Sequence, residues 1–479
     1  MIDDALWQAI AAGLPAYLDR QRWYADKLRP ISAVTLVDVA TIESRNSVIL
    51  LALIEIEYQI GDLRRYFIPM AVHADPTPER ATIAIAGSDG QSRWVQDAVS
   101  DLDFRNFLVE TGTRLDVSAN HGVFAFEPWT LDGLPFRIDP AIQSAATAFE
   151  QSNSSIAYGE QVMAKLYRRL EVGQNIEVDM NRYLASEAGF LSTPKLIAAA
   201  TYRGMAGEFP LLLVQQHVGD HRDAWTALTD LLRHKVNGSL EFVEGLGRVT
   251  GEMHVALASA PSTSPLAPEL ITRDDIDSWR HAFLRSAQET DWITGERLQI
   301  LPALSQQAAR EYLARPRDWL ERSSWFDLLD GFYKTRVHGD YHLGQVLVTK
   351  DGRLLVVDFE GEPHRPAHER EAKYSPLRDV AGMLRSLNYA TGVIASTHDV
   401  QAVAASRSWL DDWERDARGR FLAAYRKAIS TSPIPIAPAE DDIFERVIAA
   451  LETDKAFYEV RYEFSSRPDW AWLPLDSLK

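Results

Sequence analysis

The segment His338–Asp358, HGDYHLGQVLVTKDGRLLVVD, restricts what this chain can build more than any other. Two apolar runs, Val346–Val348 and Leu354–Val357, flank Asp351-Gly352. An Asp-Gly pair between such runs is the strongest short-range signal for a two-residue hairpin turn. That turn pairs Lys350 with Arg353 and, counting back along both strands, Gln345 with Asp358. Directly opposed residues share a face, with Cβ atoms about 4.5–5.5 Å apart. A carboxylate and an amide oxygen then converge at the open end of a buried hairpin, and Asp340 lies in the loop that feeds it. Such a place can hold a hard cation and a phosphate.

Phosphoryl transfer to a hydroxyl needs a base near the acceptor, oxygen ligands for Mg²⁺ and cations on the phosphates. Asp340, borne on a loop, can meet a substrate hydroxyl. Gln345 and Asp358 can share one Mg²⁺. His338 precedes Gly339, where a buried imidazole can hydrogen-bond the loop backbone. A hairpin with polar ends would explain any one of these residues. The joint spacing, H-x-D-x4-Q, strand, Asp-Gly turn, strand, D-F, favours the site. A second constellation is QSNSSIAYG, residues 151–159, followed by a strand carrying Lys165 among Val162, Met163 and Leu166. A small polar loop over Ser152, Asn153, Ser154 and Ser155 can offer backbone N–H groups to phosphates, and Lys165 can reach them. Glu177 or Asp179, on the next helix, can pair with Lys165. Alone, this reads as a hairpin with a solvated lysine; ahead of the acidic hairpin, it reads as the nucleotide side of a kinase.

The 479 residues carry 68 acids against 50 bases, a net charge of −18, which argues against nucleic acid as the partner. A local cluster of cations or a metal still suffices for an anionic substrate. The absence of cysteine excludes disulfides, thiolate zinc sites and cysteine nucleophiles. No apolar run approaches the ~18 residues of a membrane helix, and MIDDALWQAI is not a signal peptide, so the cytoplasm is the default location and no membrane partner is expected.

Three units are expected: residues 1–90, 91–216 and 217–479. The first opens with a helix (Asp4–Arg20), followed by strands at Ala33–Thr41, Ser47–Gln59, Leu63–Val72 and Ala81–Ala86. A helical pattern covers Val95–Thr111. Strands recur at Val123–Phe126, Ser155–Tyr158, Gln161–Tyr167 and Leu211–Gln215, with a helix over Ile176–Phe190. Beyond His217 the chain reads as mostly helical apart from the hairpin. Gly245, Gly247 and Gly251 loosely suggest a dinucleotide fingerprint, but they lie inside a helical pattern. His364 and His368 have zinc-ligand spacing, but Pro366 breaks the helix it assumes. No Walker loop is present. On the last long helix, Tyr458 and Tyr462 share a face beside Glu459, the aromatic-plus-carboxylate pairing that a sugar needs; core packing is the plain alternative.

At these residues the chain resembles the actinobacterial-type maltokinases and the kinase part of trehalose synthase–maltokinase fusions. The matching segments include Gln151–Ile156, Lys165–Leu170, Leu246–His254, His338–Val348, DFEGEP (358–363), SPLRDVAGMLRS (375–386) and Lys455–Trp470. The resemblance implies an α+β, bilobal protein-kinase-like (aminoglycoside phosphotransferase-like) fold with an N-terminal α+β cap domain. It implies phosphorylation of maltose to maltose 1-phosphate with ATP and Mg²⁺, and a trehalose synthase or other α-glucan enzyme as partner. Carried over by motif, Asp340 is the base, with His338 beside it. Gln345 and Asp358 ligate Mg²⁺, Lys165 contacts the phosphates, and Gln215, Gln216 and Val218 line the adenine hinge. Glu360, Arg378, Tyr458, Glu459 and Tyr462 serve the sugar. The chain departs from the family at Trp23-Tyr24-Ala25, at Asn175-Ile176-Glu177 and at Gly219–Arg222, where His221 and Arg222 border the cleft. A protein kinase is disfavoured by Gly339, by Glu360 in place of the DFG glycine, and by the lack of A-P-E. The rival readings are a kinase of another sugar, such as glucosamine or glucose, and a silent nucleotide-sensing partner.

Overall fold

The structure is a computed structural model describing residues 2–478 except 77, 79–80, 89–90, 111–114, 140–141, 148–152, 174, 237, 363–366 and 397–399. Two units emerge, Met1–Arg182 with Pro194–Gly219, and Tyr183–Thr193 with Asp220–Lys479.

The first unit begins with α1 (Asp4–Asp19), whose N-cap Asp3 accepts the Leu6 N–H. β1 (Ile31–Glu43), β2 (Val48–Tyr58), β3 (Arg64–Phe67), β4 (Met70–His73), β5 (Thr82–Ser88) and β6 (Gln91–Asp97) form a sheet, joined by a late two-residue strand, Arg169–Leu170. The apolar run of β2 has no polar face through its first half. Ile49, Leu51 and Leu53 point into one core and Leu50, Ala52, Ile54 and Ile56 into another, where α1 packs through Ile10, Leu14 and Leu18.

α2 (Leu102–Glu110) leads to a second sheet, built from β7 (Leu115–Ser118), β8 (Gly122–Phe126), β11 (Ser144–Thr147), β12 (Asn153–Tyr158), β13 (Val162–Tyr167), β15 (Leu196–Gly204) and β16 (Gly207–Gln216). A short ladder, β9 (Thr130–Leu131) with β10 (Leu134–Pro135), and α3 (Ile176–Arg182) lie between them; β14 is the Arg169–Leu170 strand. All the pairings are antiparallel, in the order β11-β12-β13-β16-β15-β8-β7. The first sheet thus continues past residue 90 to β6 and takes back β14 from the Lys165 segment.

Local chemistry overrode three expectations. The strand expected over Leu63–Val72 divides at Pro69, which has no N–H for a ladder. The helix expected over Val95–Thr111 is a strand, one 3₁₀ turn and a nine-residue helix. Asp97 accepts the Val99 N–H and Asp101 the Phe104 N–H, and these caps interrupt the helix. The helix over Ile176–Phe190 ends at Arg182 and continues as a π-turn, Tyr183–Glu187, closed by Ala188 N–H to Tyr183 O at 2.8 Å.

The second unit is largely helical: α4 (Ala224–Arg233), α5 (Ser239–Ala258), α6 (Arg273–Arg297), α7 (Ala303–Ala314), α8 (Trp319–Ser324), α9 (Ala367–Arg370), α10 (Leu377–Ser396), α11 (Val400–Ile429), α12 (Asp441–Ser466) and α13 (Trp472–Ser477). β18 (Glu269–Leu270) pairs with β19 (Tyr333–Lys334). The glycines of α5 serve packing: a Cβ on Gly247 would stand 2.3 Å from Phe421 O, and one on Gly251 2.5 Å from Ala428 Cβ, both on α11. None of the helices searched among the described residues is long and apolar enough to cross a membrane.

The hairpin forms, as β20 (Val346–Thr349) and β21 (Leu354–Val356), but one residue out of the expected register. Val348 pairs with Leu354 and Val346 with Val356. Lys350, Asp351 and Gly352 make a three-residue loop, with Gly352 at φ +81° in the left-handed position such loops require. Side chains explain the choice: Thr349 Oγ1 accepts the Arg353 N–H at 3.0 Å, and Arg353 Nε reaches Asp351 at 2.8 Å. A third strand, β17 (His221–Asp223), pairs with β20, so His221 and Arg222 lie on an exposed edge. No atom stands within 4 Å of a Cβ built on Gly352, so Gly352→Ala pays for backbone alone. It should cost about 1–2 kcal/mol, read as a lower urea midpoint; an unchanged midpoint would mean the loop readily takes another form.

Candidate active site

Gly339 must be glycine. Its φ is +85°, and a Cβ there would sit 3.1 Å from Gly361 Cα. The loop it turns is held from α10 by Asp379, whose Oδ2 accepts the His338 N–H at 2.7 Å and whose Oδ1 accepts the Gly339 N–H at 2.9 Å. Gly382, one turn on, lets α10 come close: a Cβ there would stand 2.6 Å from Tyr341 O. Asp379 is buried, which works to raise its pKa. The hydrogen bond and charge of His254, 3.2 Å away, and the Gly339 N–H outweigh this and hold it below the usual carboxylate value. His254 bonds Tyr425 through its other ring nitrogen at 3.0 Å. His338 is buried and donates from Nε2 to Val357 O at 2.9 Å, bracing the loop against the segment that ends at Asp358. In this position the ring braces the loop backbone.

Gln345 and Asp358 do converge, Nε2 to Oδ2 at 3.2 Å, but not because they oppose each other. Gln345 O accepts the Val357 N–H, so period two alone would turn Asp358 away. Its backbone is left-handed instead, at φ +67°, a conformation rare outside glycine and costly without support. That twist brings the carboxylate round to the amide. A carboxylate and an amide oxygen are donors that suit Mg²⁺.

Asp340 is partly exposed, with Lys455 Nζ 3.4 Å and His342 Nε2 3.9 Å away. Burial pulls the His342 imidazole below its usual pKa, more than the Asp340 charge restores, and its Nδ1 accepts the Gly344 N–H at 3.0 Å. Lys455 also meets Glu362 at 2.5 Å, and Glu362 meets Arg378 at 3.4 Å. Arg378 stacks over Tyr374, and Glu360 accepts from Arg370 through its backbone oxygen. Tyr458 and Tyr462 stack at 6.4 Å and 18°. Glu459, expected beside a sugar, is bound by the buried Arg385 through Nε at 2.9 Å and an η-nitrogen at 2.7 Å.

In the first unit, Lys165 stands opposite Ser155 on β12 and Leu213 on β16. Its Nζ lies 3.1 and 3.2 Å from the two oxygens of Glu177, which also accepts from Tyr167 at 2.5 Å. Asn175 caps α3 by accepting the Glu177 and Val178 N–H groups, which sets Glu177, rather than Asp179, against Lys165. Asn153, Ser154 and Ser155 belong to strand β12, where Asn153 and Ser155 are buried and Ser154 accepts from Arg168. Ser152 lies outside the described residues. Gln215 and Gln216 end β16 and Val218 follows it, and the Gln215 amide donates to Asn181 at 2.8 Å.

Sequence reasoning missed Asp379, His254, Glu362, Lys455 and Arg385. Glu362 lies within DFEGEP and the others in further segments of the resemblance, but no spacing rule links residues 16 to 125 positions apart.

Comparison with known proteins matches residues 17–101 to the maltokinase N-terminal cap domain and residues 162–417 to the phosphotransferase enzyme family. A glucosamine kinase of Streptacidiphilus jiangxiensis is 29% identical over 335 residues, covering 68% of this chain and 70% of that one. One of Mycolicibacterium smegmatis is 27% identical over 334 residues, covering 68% and 76%. Among solved structures, a glucosamine kinase in complex with glucosamine, ADP and inorganic phosphate aligns with TM-score 0.66 at 21% identity, covering 100% of this chain and 98% of that one. A second crystal form gives 0.68 at 22%, covering 100% and 99%, and this likeness bears on the fold. The chain belongs to the phosphotransferase enzyme family and carries a maltokinase-type N-terminal cap.

Proposed function

We propose that this chain transfers the γ-phosphoryl group of ATP to a sugar hydroxyl, with maltose as acceptor and maltose 1-phosphate as product. The observation that carries the reading is the Asp340 loop: one buried carboxylate, Asp379, holds its backbone beside the paired Gln345 and Asp358. In this reading Asp340 takes the proton of the acceptor hydroxyl as the oxygen attacks phosphorus, and ADP leaves. Gln345 and Asp358 would hold Mg²⁺, which when bound offsets charge on the phosphates. Lys165, oriented by Glu177, would contact the ATP phosphates. The cap match and the resemblance favour maltose, and with it an α-glucan enzyme such as trehalose synthase as a working partner. Residues 1–90 serve as the cap, 91–216 as the nucleotide lobe and 217–479 as the acceptor lobe.

Two relatives named glucosamine kinase favour a second acceptor, glucosamine. Phosphorus NMR of reactions with ATP, Mg²⁺ and a sugar panel decides: an anomeric phosphate on maltose supports the first reading, phosphate on glucosamine alone the second, and no sugar phosphate defeats both. Lys165→Met should raise KM for ATP by about 10- to 100-fold, the weight of one charge-assisted hydrogen bond, with KM for the sugar little changed. Steady-state kinetics in each substrate check this.

A further inference from the structure

Beside Asp340 is a small hollow, with room for about one water, lined by Gly339, Tyr341, Glu362, Arg378, Asp454 and Lys455 among others. Its most buried acid comes with cations already in place. Glu362, almost wholly buried, has Lys455 at 2.5 Å and Arg378 at 3.4 Å. Lys455 reaches on to Asp340 at 3.4 Å. On the same helix Glu459, a natural carboxylate for a sugar amine, is held by Arg385 at 2.7 Å.

An ammonium brought here must shed its hydration, and the nearest carboxylates are already compensated. It must also face Lys455, a like charge. A neutral sugar meets neither penalty, because its hydroxyls can donate to Asp340 and accept from Lys455. We propose that Lys455 selects the acceptor: its ammonium, held between Asp340 and Glu362, admits a neutral sugar and turns away an amino sugar. This rests on the sugar-kinase reading and names the residue that sets its substrate class. Burial alone would pull the Lys455 pKa down; the charges of Glu362 and Asp340 outweigh it and keep the ammonium protonated.

Glucose and glucosamine differ at C2 alone, so the ratio of their kcat/KM values reads the charge directly. With ATP and Mg²⁺, the wild-type protein should favour glucose. Lys455→Met should raise the glucosamine-to-glucose ratio by at least about tenfold, the relief of one like-charge contact, while Lys455→Arg keeps the wild-type ratio. Because Lys455→Met also strips Glu362 of a partner, the wild-type protein supplies a test independent of folding. Its relative use of glucosamine should climb as pH rises through the pKa of the sugar's own amine. A wild-type preference for glucosamine, an unchanged ratio in folded Lys455→Met, or a ratio flat with pH overturns the assignment and leaves the kinase reading standing. Transfer to no sugar at all overturns the kinase reading itself.

Discussion

Asp340→Asn lowers kcat by about 10²–10⁴-fold, the usual weight of a general base, while KM for ATP and sugar moves little. The geometry sets this expectation. Asp340 sits on a backbone fixed at two N–H groups by Asp379, and its own carboxylate stays partly exposed beside Lys455. Asparagine keeps the shape and can still accept a hydrogen bond from the hydroxyl, but it cannot take the proton. Binding therefore survives and the chemical step does not. The measurement is steady-state turnover with ATP–Mg²⁺ and the best acceptor of the panel; near-wild-type turnover would remove Asp340 from the chemistry and with it the proposed mechanism.

Asp379→Ala should be the most damaging change to the fold near the site. It orphans the His338 and Gly339 N–H groups and leaves His254 without its carboxylate. At about 1–3 kcal/mol for each of these three groups, the loss is about 3–9 kcal/mol. Turnover falls too, because the Asp340 loop is no longer held. Denaturant titration and kinetics on the same sample check both, and an Asp379→Ala protein as stable as wild type would refute the hook. The pH dependence follows from the sign of the shift. The folded carboxyl titrates below its unfolded value of 3.8, so its share of stability is present above that pH and is lost as pH falls through the folded value. Asp379→Ala should flatten that part of the acid limb of the stability curve.

Elements governed by neighbours in sequence were legible. The hairpin, the long helices and the strands around β2 follow from apolar periodicity and turn chemistry. The Asp340, Gln345 and Asp358 spacing was legible for the same reason, since all three hang on one hairpin. Where short polar side chains compete for nearby N–H groups, periodicity misled: Asp97 and Asp101 cap later starts for a helix that the apolar pattern began at Val95, and Thr349 and Asp351 moved the hairpin register by one residue. The polar run at Asn153–Ser155 read as a loop because small polar residues suit turns, yet pairing with β13 made it a buried strand.

From sequence alone came the Asp-Gly hairpin, the acids on it, a lysine strand before it and the family likeness, all features whose physics is local. Tertiary structure alone decided how they meet. Asp358 reaches Gln345 through a left-handed backbone and not through opposed register. Glu177 takes Lys165 because Asn175 caps the helix at that residue, and Arg385 takes Glu459. Asp379 reaches back 41 residues to hold His338, and Lys455 reaches 115 residues to Asp340. Hydrogen bonds and ion pairs act over a few ångströms of space without regard to chain separation, so partners brought together by packing leave no periodic trace in the sequence.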